Sequence, residues 1–484
     1  MTEVAALLQQ SLAAHQQGDV RRAAIGYLQV LARERLNRDE LHLLGMVMKG
    51  GGQPKEAAKL IRKAIRLQPD FCDALYNLGS TYLSMGNPAQ AAETFSEALH
   101  QQPENPRFLH GLGLALEAEG LLAKAAQAFK EAVRLDPDAL ISWVALATVL
   151  RLAGALEEAI ATFRKAVSLR PDEPELRVLL AEALLLAGQY DRGFEHYEAR
   201  LRLPHNTIQP QPPELPRWDG RQLRGRLVVV AEPVIGDILM FSRCLVMLRS
   251  RVSRLTLVCP AEYANLFRTL DVIDDIIAPD DHWPVAKAYS PLASLPRLCG
   301  ESRFGTVPYL AAPADAMERW AGRMAGEGVR IGLVWAGDRP RFPGDAPLTL
   351  RHFLVLPMPP GVTYYSLQTG PHAAEVAALG LTGTIPELCQ HLSDFTELAV
   401  ALAHMDLVIT SDSAAAHLAG AMGRSAWVLL PAAPDWRWQQ TGETSPWYPS
   451  LRLFRQTTPG DWAGLLETVG AEVMAAVVEG RLRR

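Results

Sequence analysis

The sequence predicts a chain of two fold classes: an all-α array of repeated helix pairs over its first 202 residues, then a parallel-sheet α/β region from residue 226 to the end. Three observations predict this. Small, apolar and proline positions recur every 34 residues in the first half. The recurrence stops at a proline-rich stretch. Beyond it, short unbroken apolar runs alternate with helix-like segments.

The repeat carries Gly45 to Gly79, Gly113, Ala147 and Ala181, and Leu44 to Leu78, Leu112, Leu146 and Leu180. It carries Ala57 to Ala91, Ala125 and Ala159, Ile61 to Phe95, Phe129 and Phe163, and Pro69 to Pro103, Pro137 and Pro171. The physics is that of a helix-turn-helix unit. Small residues let two antiparallel helices approach, the Phe95-type residue fills the space between them, and proline ends the second helix. Six units are expected, starting near residues 4, 38, 72, 106, 140 and 174. The first and last are degenerate, with Arg35 and His205 in the proline position, as capping repeats allow.

The stretch "LPHNTIQPQPPELPRWDG", residues 203–220, reads as a semi-rigid linker. The runs after it are Leu227–Ala231, Leu255–Cys259, Ile331–Trp335, Tyr364–Leu367, Leu407–Thr410 and Ala426–Leu430. Unbroken apolar strands separated by helices imply a parallel sheet covered on both faces. Two such series suggest two doubly wound domains, joined by "MAGEGVR" at 324–330. The expected domains are therefore 1–202 (repeats), 203–225 (linker), 226–327 and 328–484, the last closed by a C-terminal helix. Ligands of these folds sit beyond the carboxyl ends of the strands.

Composition limits the function classes. Of 484 residues, 21% are charged and the net charge is −5, which is no nucleic-acid footprint. No uncharged apolar run reaches the roughly 18 residues of a membrane span. Cys72, Cys244, Cys259, Cys299 and Cys389 are scattered without metal spacing and read as reduced thiols of a cytoplasmic protein.

Four stretches carry candidate chemistry. In "VITSDSAAAHLAGAMG", 408–423, a strand becomes a helix at Ser411-Asp412-Ser413. Asp412 is placed as the N-cap, leaving the N–H groups of Ser413, Ala414 and Ala415 without helical acceptors; small side chains open that end to a phosphate. His417, one turn in, is placed to reach a phosphate or sugar; a capped helix with an internally satisfied histidine gives the same pattern. In "VVVAEPVIGDILMFSRCLVMLR", 228–249, Gly236-Asp237 forms a second strand-to-helix corner, where Asp237 either caps the helix or serves as general base. In "GLVWAGDRPRFPGDAPLTLRHF", 332–353, a Gly/Pro-rich loop follows Trp335 and holds Arg339 and Arg341, which can balance a diphosphate or lie in solvent. In "DWRWQQTGETSPWYPSLRLFRQ", 435–456, Trp436, Trp438, Trp447 and Tyr448 either wall a sugar or base site or pack a core.

With these strings in view, the array resembles the tetratricopeptide repeat (TPR), on Asn77-Leu78-Gly79-Tyr82 and Trp143-Leu146-Ala147-Leu150. The second half resembles the glycosyltransferase domain of GT-B fold found fused to such repeats in bacteria. That domain is related to the lipopolysaccharide heptosyltransferases and, more loosely, to protein O-linked N-acetylglucosamine transferases. The matching strings are "AEPVIGDILMFSR", "RIGLVWAGD", "YYSLQTG", "LSDFTELAVALAHMDLVITSDSAAAHLAGAMG" and "DWRWQQTGETSPWYPSLRLFRQTTPGDW".

The resemblance implies two facing Rossmann-like lobes, a nucleotide-sugar donor on the C-terminal one, and no metal or cofactor. It implies Asp237 as catalytic residue. The implied donor site comprises Gly236, Trp335, Gly337, Arg339, Arg341, Gln368, Asp412, Ser413, Ala414, Ala415 and His417. A protein acceptor such as flagellin would be presented by the repeat groove. The chain departs from the family at Pro233 and Val234, which replace residues of a Glu-Gln-Gly-Leu-Gly-Asp loop and stiffen it. It departs again at Gly344–Thr349, where two arginines of an Asn-Asp-Arg-x-Arg-Ser string are missing. The alternatives to a protein-directed transferase are a non-catalytic repeat scaffold with a degenerate transferase domain, or a transferase acting on lipopolysaccharide or another glycan.

Overall fold

A computed structural model describes residues 3–17, 19–31, 36–204, 215–300, 304–320, 328–337 and 347–482. Arg35 and His205 lie outside the described residues, as does most of the 324–330 segment. The chain divides into two compact units, Met1–Pro171 and Asp172–Arg484.

The first unit is a succession of helix pairs: Glu3–Gln16 with Val20–Leu31, Arg38–Gly50 with Pro54–Leu67, Cys72–Ser84 with Pro88–Gln101, Pro106–Ala118 with Leu122–Leu135, and Leu140–Leu152 with Leu156–Leu169. The expected packing is present. A Cβ on Gly79 would sit 2.7 Å from the Phe95 ring, and one on Gly113 would sit 2.5 Å from the Phe129 ring. The small residues are thus the condition for the aromatic to enter between the helices. The last four of these pairs turn on a second periodic glycine, Gly52, Gly86, Gly120 and Gly154, with φ between 69° and 82°, a conformation that other residues adopt at a cost. The prolines fall just past the second helices, at Pro69, Pro103, Pro137 and Pro171.

The second unit begins with one more helix pair, Pro174–Leu186 and Tyr190–Tyr197, followed by a tight turn at Glu198–Arg202. Two parallel sheets follow. The first contains β1 (Leu223–Val230), β2 (Val252–Val258), β3 (Asp275–Ile277) and β4 (Ala288–Pro291) in the order β3-β2-β1-β4. The second contains β5 (Val329–Val334), β6 (Val362–Ser366), β7 (Leu407–Ser411), β8 (Ala426–Leu430) and β9 (Leu451–Arg455) in the order β6-β5-β7-β8-β9. Every residue of β7 and β8 is buried, as expected for central strands covered on both faces. The C-terminal helix Trp462–Val478 closes the second sheet, burying Leu466, Val469 and Val473 against Ile331, Trp335 and Phe454.

Six strands lie where the apolar runs predict them, and three were not anticipated. β3 and β4 are only three and four residues long. β9 is an edge strand whose Arg452 and Arg455 interrupt the apolar signal. The expected linker is only partly one. Residues 205–214 lie outside the described residues, but Pro216–Trp218 runs beside β4: Trp218 N donates to Tyr289 O (2.8 Å), Tyr289 N donates to Pro216 O (3.0 Å), and the Trp218 side chain is buried.

Two predictions concern the repeats. Gly113→Val forces a branched side chain into the Phe129 ring and is expected to cost about 1–3 kcal/mol, read as a lowered urea midpoint. His42 and His110 are both held below the usual histidine range by burial, so the folded form resists protonation. Stability is therefore full above about pH 6.5 and falls as the pH drops below it. Thermal midpoints at pH 7.5 and 5.5 (~2 pH units apart) should show this fall, reduced in His110→Phe.

Candidate functional site

The order β6-β5-β7 places the reversal of strand order between β5 and β7, and loops diverging there leave a crevice beyond the strand ends. A cavity of about 460 Å³ occupies this place. Its walls include Ala336 and Gly337 after β5, Gln368 and Thr369 after β6, and Ser413, Ala414 and Ala415 after β7. Gln368 braces the floor. Its Oε1 accepts from Trp335 N (3.0 Å) and Ala336 N (2.8 Å), tying the ends of β5 and β6 together. Trp335 is fully buried behind that floor and packs with the second sheet's core. A Cβ on Gly337 would collide with the Asp412 carbonyl, so glycine lets the β5 and β7 loops meet.

The helix at the cavity is Ala414–Ala421, and its N-cap is Ser413 rather than the expected Asp412. Ser413 is extended, at φ −149° and ψ 168°, and its Oγ pairs with Thr410 Oγ1 at 2.8 Å instead of capping the helix. The first intrahelical bonds are Ala416 N to Ser413 O (3.1 Å) and His417 N to Ser413 O (3.3 Å). The N–H groups of Ala414 and Ala415 therefore have no acceptor inside the helix, and both residues line the cavity. A second helix, Phe395–Ala403, also begins at the cavity, but there Asp394 Oδ1 accepts from Glu397 N (2.9 Å) and caps it. Of the two N-termini, the one built of small residues is left open.

His417 is not a cavity residue. It is 2% exposed, its ring stacks on Trp438 with centroids 4.9 Å apart, and its Nδ1 is 3.1 Å from Tyr448 Oη. Asp412 Oδ1 stands 4.0 Å from its Nε2. Gly236 explains part of this burial: a Cβ there would lie 3.1 Å from the imidazole, so the glycine lets helix Ile235–Phe241 pack on Ala414–Ala421. The internally satisfied histidine is the arrangement found. The aromatic segment likewise packs as core. Trp436, Trp438, Trp447 and Tyr448 are all buried, with Trp436 and Trp447 meeting Phe241 and Phe194.

Asp237 is also off the cavity wall, although Ile235 lies on it. The carboxylate is 4% exposed. Its Oδ1 accepts from Arg437 Nε (2.8 Å) and Nη2 (2.5 Å), and its Oδ2 has a longer contact of 3.4 Å from the Tyr197 hydroxyl. Burial pushes the Asp237 carboxyl up from the ordinary carboxylate value, and the Arg437 charge opposes it. Arg437 also binds Asp435 at 2.8 Å. Arg339 and Arg341 lie outside the described residues. Arg437 and Tyr197 escaped the sequence reading: the arginine is hidden inside an aromatic run, and the tyrosine sits in a helix pair that reads only as a repeat.

Comparisons fit the helical part. The tetratricopeptide repeat family matches residues 76–139, 111–174 and 144–203. Residues 76–203 therefore consist of TPR units. The chain is 28% identical over 307 residues to Protein FlbA of Caulobacter vibrioides, covering 56% of this chain and 50% of that protein. It thus spans about half the length of this curated relative. Among solved structures, it is similar to MamA (21% identity, TM-score 0.31, covering 33% of this chain and 92% of that one) and to pilF of Pseudomonas aeruginosa (19%, TM-score 0.36, covering 42% and 93%). It is also similar to YrrB, described as a TPR protein with an unusual peptide-binding site (16%, TM-score 0.32, covering 36% and 91%).

Removing Arg437 leaves Asp237 buried without its cation. Arg437→Met is expected to cost about 3–5 kcal/mol at pH 7 by chemical denaturation. Asp237 then has a folded-state pKa raised further above its unfolded value, so the penalty exists above about pH 4 and shrinks as pH falls toward it. Arg437→Met/Asp237→Asn should recover most of the loss.

Proposed function

We propose that this protein is a glycosyltransferase of GT-B type. In this reading it moves a sugar from a nucleotide-sugar to a hydroxyl of a protein, such as flagellin, presented by its TPR units. The observation that carries the reading is the open N-terminus of helix Ala414–Ala421 on a cavity at the reversal point of a parallel sheet. Two free amides and the helix dipole suit a phosphate there, and no metal is invoked.

In this reading the donor's phosphate rests on the Ala414 and Ala415 amides. The acceptor oxygen forms a bond to the sugar's anomeric carbon as the carbon–oxygen bond to phosphate breaks. The amides and dipole take the negative charge of the leaving group. Asp237 accepts the hydroxyl proton. Oδ2 is the oxygen suited to this, because Oδ1 is held twice by Arg437 while Oδ2 carries only the long Tyr197 contact. Burial raises the Asp237 carboxyl and the Arg437 charge opposes that rise, favouring the carboxylate form.

One observation favours a second reading, a TPR scaffold whose α/β half binds a nucleotide without turnover. Asp237 is buried in an ion pair and does not line the cavity.

The tests are direct. UDP, GDP, ADP and CMP, free and sugar-linked, are screened by thermal shift. A nucleotide at about 100 times its Kd should stabilise by about 2.7 kcal/mol, and Ser413→Trp, which fills the helix tip, should abolish the effect. No response to any nucleotide overturns the transferase reading and supports a scaffold with a degenerate transferase domain. Binding by wild type with no mass increase on co-expressed flagellin or other protein acceptors selects the scaffold.

A further inference from the structure

The corner from Ala231 to Asp237 leads from β1 into the first turn of helix Ile235–Phe241. Its middle is lightly held: Val234 is 50% exposed. Its two ends are not. At one end Glu232 is buried, and Arg200 grips it from the turn after the last helix pair. Arg200 Nε donates to Glu232 Oε1 (2.9 Å) and Nη2 to Oε2 (3.0 Å), and Nη2 also reaches Ser294 Oγ (3.1 Å). Glu232 Oε2 accepts a further bond from Ala293 N (3.0 Å). At the other end Asp237 meets Tyr197. Arg200 and Tyr197 are three positions apart, on a single stretch of the last helix pair and its closing turn, while Arg437 holds Asp237 more closely.

We propose that Arg200 is a positioning residue for the Asp237 corner, so that the last TPR helix pair is a working part of the α/β half. The clause about Asp237 rests on the transferase reading; the control of loop geometry does not. A buried ion pair adds little net stability over an apolar replacement of like volume, and such pairs are attested where geometry must be specified. Here the bidentate fork fixes Glu232 in distance and in angle, which a single-point contact cannot do. At the far end Arg437 aims the Asp237 carboxylate and Tyr197 adds only a long contact, so the turn sets where the corner starts and Arg437 where its carboxylate points.

The test uses the full chain with Arg200→Met/Glu232→Gln, which removes both charges together and keeps an acceptor for Ala293 N. Arg200→Lys is the conservative comparison, keeping the charge without the fork. The first readout is amide hydrogen exchange. Residues 232–241 should exchange about tenfold faster in the double variant, while residues 395–421 keep the wild-type rate. The second is the response to UDP, GDP, ADP and CMP, where the midpoint for the binding nucleotide should stay within about twofold of wild type. The third is transfer, where kcat should fall by about tenfold or more at unchanged donor KM, with Arg200→Lys intermediate. Unchanged exchange across 232–241 overturns the proposal. So does faster exchange throughout the unit, which marks a merely structural pair. If wild type neither binds a nucleotide nor transfers sugar, the transferase reading fails while the exchange result still decides the role of Arg200.

Discussion

The ion pair between Arg437 and Asp237 is the constraint on which the α/β half depends. Its partners are 200 residues apart in sequence, and both are buried. The Asp237 charge is not tolerable there alone, since it has left water for a low-dielectric interior, while Arg437 also has Asp435 beside it. The two must arrive together, and their meeting fixes the helix after β1 against the segment after β8. Other contacts then follow. Gly236 brings that helix onto Ala414–Ala421, His417 is enclosed between Trp438 and Tyr448, and Arg243 donates to Met240 O and Trp447 O. One electrostatic requirement thus sets the packing of two helices that belong to different sheets.

The fold was legible where its cause is periodic. A 34-residue step names the partners of each close contact, Gly79 with Phe95 and Gly113 with Phe129, because the same geometry is solved repeatedly. Central strands were legible because burial on both faces leaves them almost wholly apolar, with only Thr410 and Ser411 as polar residues of β7. β3, β4 and β9 were not: two are too short to build a pattern, and the third mixes arginines into an edge. Strand order, which positions the cavity, has no local signature at all.

The site was legible in part for the same reason. Ser413, Ala414 and Ala415 were found because small residues after an apolar strand have a backbone consequence, readable without tertiary knowledge. The cap was misplaced by one residue because Asp412 and Ser413 are both good N-caps, and only the backbone separates them: Ser413 is extended and its carbonyl accepts the first helical bonds. His417 and the tryptophans invite a ligand-facing reading, but side-chain direction is decided by neighbours distant in sequence. Tyr197 and Arg200 were invisible to a motif search, since their partners lie across the boundary between two kinds of sequence pattern.

Pro216–Trp218 beside β4 has a consequence for solubility. A parallel sheet ends in a row of unpaired amides and carbonyls that can template another chain. Backbone bonds joining Pro216 and Trp218 to Tyr289 occupy part of that row. A segment composed like a spacer thereby serves as a selvedge, keeping the first sheet from fraying into its neighbours.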